Sequence, residues 1–421
     1  MALAKPKPAL PLYRAMDIGP ELRSKTLPEN IEIPPGITPE ETSGGGGASL
    51  QQTGYYEPGD IMWWATYDIY EPWYGMLLTW FELRVVGTVA EIWVQVDLSY
   101  PDGSADVVSD ERAQYILDEY ESNIYPINTA YFGTPCPHEG TDDLWGSGAW
   151  YEETGRDVIL ISNVRDTMYY DPLYPYFVIG FYWRNFEILF DRNIITLDSL
   201  AWDIISGPPV YAYDATAAHE LQHLIHDDYN PDDAVFINEG CSVFSEMLCG
   251  YGTPWGDIDS YLATPDNSLT EWDDQPYNDL ADYGQAGLWA IYLTDRFGPS
   301  FLSNHVQSGL PGIDGLNYAL FPRTFDQVYH DWRIANLIHS NKPGSGVYNY
   351  DSIDLSTTDP PRIYEITPAD SPVVGSEFGN TITILGWDTG IANLGSYGTD
   401  YIRISGFEDE EDVLFSFDGD D

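Results

Sequence analysis

The stretch AAHELQHLIHDDYNPDDAVFINEGCSVFSE, residues 217 to 246, decides how this chain is organised. It gathers three of the chain's seven histidines, His219, His223 and His226, within eight positions. The pattern predicts two helices, joined by a DDYNPDD turn that lets the second fold back antiparallel on the first. His219 and His223 stand four apart on the first helix, so their side chains share one face with Cβ atoms about 5 to 6 Å apart. Both imidazoles can therefore reach one ion. Glu220 leaves the same helix about 100° further round, beside the ion's open position, where it can take a proton from a water instead of ligating.

A catalytic zinc site needs three protein ligands and one open position. In the longer histidine motif H-E-x-x-H-x-x-G-x-x-H, the glycine and third histidine positions are held here by His226 and Tyr229, which disfavours that class. Glu239, on the second helix FINEGCSVFSEML, supplies the missing carboxylate, and Zn²⁺ is the expected ion. Glu246 lies seven residues beyond Glu239 on nearly the same helical face. It is expected to accept a proton from the other ring nitrogen of one histidine, which fixes that ring's orientation. His226, seven positions on and on the same side as His219, is expected to act as a cap or to lie at the surface, with a hydrogen bond near the site as the alternative. His138, beside Cys136 in PCPHEG, reads as a loop residue, and His305, His330 and His339 are assigned no chemistry.

From 236 to 246 the sequence F-I-N-E-G-C-S-V-F-S-E resembles the W-L-N-E-G-x-[ST]-V-[YF]-x-E segment of the aminopeptidase and leukotriene-hydrolase branch of gluzincin metallopeptidases. HELQHLIH, the runs DVILISNV and FVIGFYWRN, and FDQVYHDWRIANL are similar to the secreted hyicolysin-type peptidases, in which HEFQHMIN and a late DWxxAN helix recur. The resemblance spans about 115 to 340. One departure is the sixteen-residue interval from His223 to Glu239, shorter than the usual gluzincin interval. The resemblance implies an α+β fold with a zincin-like core, and peptide-bond hydrolysis by a metal-activated water with Glu220 as general base. It also implies a transition-state donor, Tyr283, because DYGQAG at 282 to 287 resembles the P-Y-E-K-G segment of the aminopeptidase branch, with Ala286 at the glycine position.

Composition sets the limits. The chain has 421 residues, with 43% hydrophobic and 15% aromatic residues, ample to bury several cores. Its 68 acidic against 17 basic residues leave a formal charge of −51, which repels phosphate backbones and excludes nucleic acid as a partner. The excess is expected to be mainly a solvated acidic surface. DDYNPDD at 227 to 233 is the most suggestive loop for Ca²⁺, although it lacks EF-hand spacing. Three cysteines build no disulfide framework. No apolar run reaches the ~18 residues of a membrane span, and the opening residues lack the apolar core of a signal peptide.

Four regions are expected. Residues 1–55 are a Pro/Gly-rich arm that covers the catalytic cleft as a pro-segment or adds a strand to a neighbouring molecule. Residues 56–110 are an N-terminal β-module with antiparallel pairing, 111–345 the metallopeptidase domain, and 346–421 a C-terminal β-sandwich-like module. A helix is expected from Glu111 to near Pro126. The function expected is a zinc-dependent endopeptidase acting on proteins or peptides, outside the cell or at its surface. An aminopeptidase is the alternative within the class, and no G-x-M-E-N strand precedes the histidine helix to support it. A structural or cell-surface assembly protein on a peptidase scaffold is the rival from another class, with self-assembly through the arm.

Overall fold

The computed structural model describes residues 14–23, 25, 27, 55–71, 74–272, 279–366, 397–399 and 401–404. Its centre is one mixed sheet of seven strands. β1 (Arg14–Asp17), β2 (Ile61–Tyr67), β3 (Met76–Val86), β4 (Ala90–Gln95), β5 (Asp157–Ser162), β6 (Tyr176–Tyr182) and β7 (Ile194–Asp198) lie in the order β1-β6-β7-β5-β4-β3-β2. β4, β5 and β7 run parallel, β6 is antiparallel to β7, and β1 is parallel to β6. Together with its helices the sheet makes an α+β fold.

Both faces of the sheet are covered, which is why VILI at 158 to 161 is an unbroken apolar run instead of an alternating one. Ile159, Ile161, Ile195 and Leu197 face one core, and Val158, Leu160 and Ile194 face another that contains Trp64, Phe186 and Phe190. β2, β3 and β4 pair antiparallel, as their sequence suggests. β4, buried along its whole length, then pairs parallel with β5. The strands of 56–110 are thus part of the central sheet, and no boundary at 110 divides it.

The first helices are α1 (Gly19–Arg23), α2 (Asp110–Glu119) and α3 (Tyr125–Phe132). The helix expected to stop near Pro126 continues to Phe132. A π-helical turn at Tyr120–Ile124 separates α2 from α3 and places Pro126 near the start of α3. The short helices α4 (Thr167–Tyr170), α5 (Arg184–Phe190) and α6 (Trp202–Ile205) connect the later strands. α7 (Ala212–Tyr229) and α8 (Val235–Leu248) follow, then α9 (Trp255–Ala263), α10 (Asp279–Phe297), α11 (Phe301–Ser308), α12 (Gly312–Leu320) and α13 (Phe325–Ile338).

α7 packs on β6 and β7. Gly180 of β6 permits the close approach, since a Cβ there would stand 2.6 Å from Cγ2 of Thr216 on α7. Gly240 does the same for α8 against α10, where a Cβ would meet the carbonyl oxygen of Ala286 at 2.7 Å. Beyond the helices, β8 (Ile363–Ile366) and β9 (Tyr401–Ile404) pair parallel in a separate two-stranded sheet. The rest of the module expected over 346–421, at 367–396, at 400 and from 405 onward, lies outside the described residues, as do 1–13, 24, 26 and 28–54 of the arm. Among the described residues no helix is long and apolar enough to cross a membrane. All three cysteines are free.

Candidate metal centre

α7 and α8 run antiparallel, so rising positions on one meet falling positions on the other: His219 meets Glu246 and Gln222 meets Ser242, while His226 meets Asp233 in the turn just before α8. This register brings His219, His223 and Glu239 together. Among the described residues they are the one group of at least three such side chains whose ligand atoms lie close enough to share an ion, all within 4.8 Å of one another. All three are buried.

The Nε2 atoms of His219 and His223 each lie 3.3 Å from the same oxygen, Oε2 of Glu239. Ligands bound about 2.0 Å from a tetrahedral zinc stand about 3.3 Å apart, so both measured separations suit that ion. The hydrogen bonding behind the rings agrees. Nδ1 of His219 lies 2.8 Å from Oε1 of Glu246, and a carboxylate only accepts, so Nδ1 carries a proton and the neutral ring offers the lone pair of Nε2. Nδ1 of His223 faces the side-chain oxygen of Asn238 and lies 3.0 Å from Oγ of Ser242. Asn238 presents Oδ1 there because it also accepts from Nη1 of Arg23 at 3.4 Å. With both rings neutral, two imidazole lone pairs and one carboxylate oxygen converge, a ligand set that suits a cation.

Burial pushes the His223 imidazole below its usual range, although Glu239 pulls the other way. Burial works to raise the Glu239 carboxyl, but His223 and the Arg23 guanidinium outweigh it and hold the group ionised well below the usual carboxylate range.

A chain of buried hydrogen bonds extends from His223. Ser242 donates its hydroxyl to Oε1 of Gln222, and Nε2 of Gln222 donates to Nδ1 of His226 at 3.1 Å. His226 then donates through Nε2 to Oδ2 of Asp233 at 3.0 Å, which His305 also reaches at 2.9 Å. Oδ1 of Asp233 accepts from the backbone of Ala234 at 2.9 Å and Gly312 at 2.7 Å. Burial works to raise the Asp233 carboxyl, and the two histidine hydrogen bonds outweigh it. His226 is thus fully buried, not at the surface or a cap as its place near the end of α7 suggests, because α11 packs on α7 and Asp233 joins His226 to His305 of α11. The carboxylates of DDYNPDD do not converge. Asp227 meets Tyr182 and Arg184, Asp228 accepts from the backbone of Cys136, and Asp233 serves the two histidines. His138 pairs with Asp191 at 2.9 Å.

Glu220 is fully buried on α7. Tyr283 sits in the second turn of α10, with α9 between it and α8 in sequence. Its ring lies 6.2 Å from that of His219 and 5.3 Å from that of Trp272. Two neighbours had no signal in the sequence. Asp257 of α9 has its carboxyl pushed up to about 7 by burial, with Glu246 adding to the effect and His219 opposing it. Arg23 of α1 donates Nη2 to Oε1 of Glu239, from more than two hundred residues away. No protein-family model matches the chain, and no curated protein matches it.

Proposed function

We propose that the protein is a zinc-dependent endopeptidase with a gluzincin-type, zincin-like core. The observation that carries this reading is the convergence of two imidazole Nε2 atoms on one buried carboxylate oxygen at 3.3 Å each, with Glu220 on the same helix between the two histidines. His219, His223 and Glu239 would hold the ion. A bound zinc ion lowers the pKa of a coordinated water towards about 7 and polarises a carbonyl oxygen. Glu220 takes the proton of the attacking water and passes it to the departing amine, while Tyr283 donates to the developing oxyanion. Glu246 and Asn238 hold the two rings with Nε2 facing inward. Amide hydrolysis then proceeds without a covalent enzyme intermediate.

The test is elemental analysis of the purified chain combined with digestion of an unbiased peptide library, on the wild type and on Glu220→Gln. About one zinc per chain is expected in both, with hydrolysis in the wild type alone. Zinc lost together with activity in the variant would contradict the separation of base from ligands.

A further inference from the structure

The segment 14–23 lies against the metal centre. β1 pairs along the free edge of β6, from Arg14 opposite Tyr176 to Asp17 opposite Gly180. Ile18 and Leu22 then sink into the core that contains Trp64 and Phe186, leaving 7% and 0% of their surfaces exposed. Arg23 reaches Oε1 of Glu239 with Nη2 and Oδ1 of Asn238 with Nη1, and Nη1 lies 3.2 Å from Nδ1 of His223. Just beyond, the carbonyl of Lys25 accepts from Nδ2 of Asn185 at 2.9 Å. The two oxygens of Glu239 are therefore divided, Oε2 to the imidazoles and Oε1 to the guanidinium.

Two consequences follow. A guanidinium and a divalent cation served by one buried carboxylate repel each other, and the low local dielectric strengthens that repulsion. A four-residue strand on a sheet edge makes the main-chain bonds that any extended peptide could make in its place. In a chain with 17 basic residues among 421, the arginine at this spot is a charge set against the metal.

We infer that residues 14–23 form an intramolecular strap, in which β1 occupies the β6 edge where an extended peptide would dock and Arg23 weakens the hold of Glu239 on the cation. This rests on the peptidase reading of the site, and it makes release of the strap the step that opens the centre.

The test uses three full-length proteins: wild type, Arg23→Ala, and Leu22→Asp, which places a charge in the strap's apolar anchor. Zinc affinity is read by competition with a chromophoric chelator, and docking by fluorescence anisotropy of a labelled synthetic peptide copying residues 12–25. Zinc should bind about tenfold more tightly to Arg23→Ala than to the wild type. The labelled peptide should bind Leu22→Asp at least tenfold more tightly than it binds the wild type, whose own strap competes. Unchanged or weaker zinc binding in Arg23→Ala overturns the inference, and this arm stands even if Leu22→Asp does not fold. Equal peptide binding by folded Leu22→Asp and wild type overturns it as well. Neither readout needs turnover. Both expected shifts without hydrolysis in any of the three proteins would support the strap and sink the peptidase reading, whereas hydrolysis with neither shift would do the reverse.

Discussion

Nδ1 of His219 and Oε1 of Glu246 are joined by a 2.8 Å hydrogen bond that sets which ring nitrogen faces Glu239. Glu246→Ala should lower zinc affinity about 10- to 100-fold, because the ring is then free to turn and to change tautomer. Glu246→Gln keeps an oxygen acceptor at the same reach and should recover part of the loss. Chelator competition on both variants decides it, and equal affinity in Glu246→Ala and wild type would remove Glu246 from the site.

Gln222 ties the metal centre to the His226, Asp233 and His305 cluster. Gln222→Leu leaves the Ser242 hydroxyl only the longer bond to the Asn238 carbonyl, at 3.3 Å, and leaves Nδ1 of His226 without its donor, both in a buried setting. The expected cost is about 1 to 3 kcal/mol of stability, together with weaker zinc binding, since Ser242 no longer has a fixed orientation towards His223. Urea unfolding and zinc titration on the same preparation measure the two effects. Zinc binding unchanged at full occupancy would show that Asn238 alone orients His223.

Tyr283→Phe retains the ring contacts with His219 and Trp272 and removes only the hydroxyl. If that hydroxyl serves the oxyanion, kcat should fall about 10²-fold or more with KM nearly unchanged. Steady-state kinetics and thermal melting separate this from packing, which would cost stability and leave turnover per folded molecule intact.

Burial pushes the Asp157 carboxyl up to about 6, against hydrogen bonds from Tyr120 and Asn193. A carboxyl whose folded pKa is raised binds its proton more tightly in the folded state than in the unfolded one. Its stabilising contribution is therefore full below about pH 4 and is lost as the pH climbs through about 6. Asp157→Asn should remove that loss, so the stability difference between variant and wild type should move in the variant's favour from pH 4 to pH 7. His226 has the opposite sign. Burial depresses its pKa, so its contribution is present above about 6.5 and lost on acidification. Urea midpoints at pH 4, 5, 6 and 7 for the wild type, Asp157→Asn and His226→Gln resolve the two windows, and parallel pH profiles in all three would contradict both assignments.

The sequence by itself determined what depends on neighbours a few residues apart. The four-residue step from His219 to His223, the second helix carrying Glu239 and Glu246, and the apolar runs of β5, β6 and β7 are all set by backbone periodicity and by which face must be buried. The tertiary structure decided what depends on partners far along the chain. Whether β2 to β4 stand alone or extend the central sheet turns on the parallel pairing of β4 with β5, and no local pattern encodes a strand's partner across sixty residues. His226 and His305 carry no motif, and only the packing of α7 against α11 brings them to one carboxylate. Pro126 reads locally as a helix stop, and the π-helical turn before it lets the helix continue. Arg23 reads as one more polar residue in a Pro/Gly-rich arm. It becomes part of the metal centre because β1 docks on the β6 edge and the Leu22 anchor turns α1 inward. There, burial in a low dielectric turns an ordinary side chain into the strongest charge facing Glu239 from outside α7.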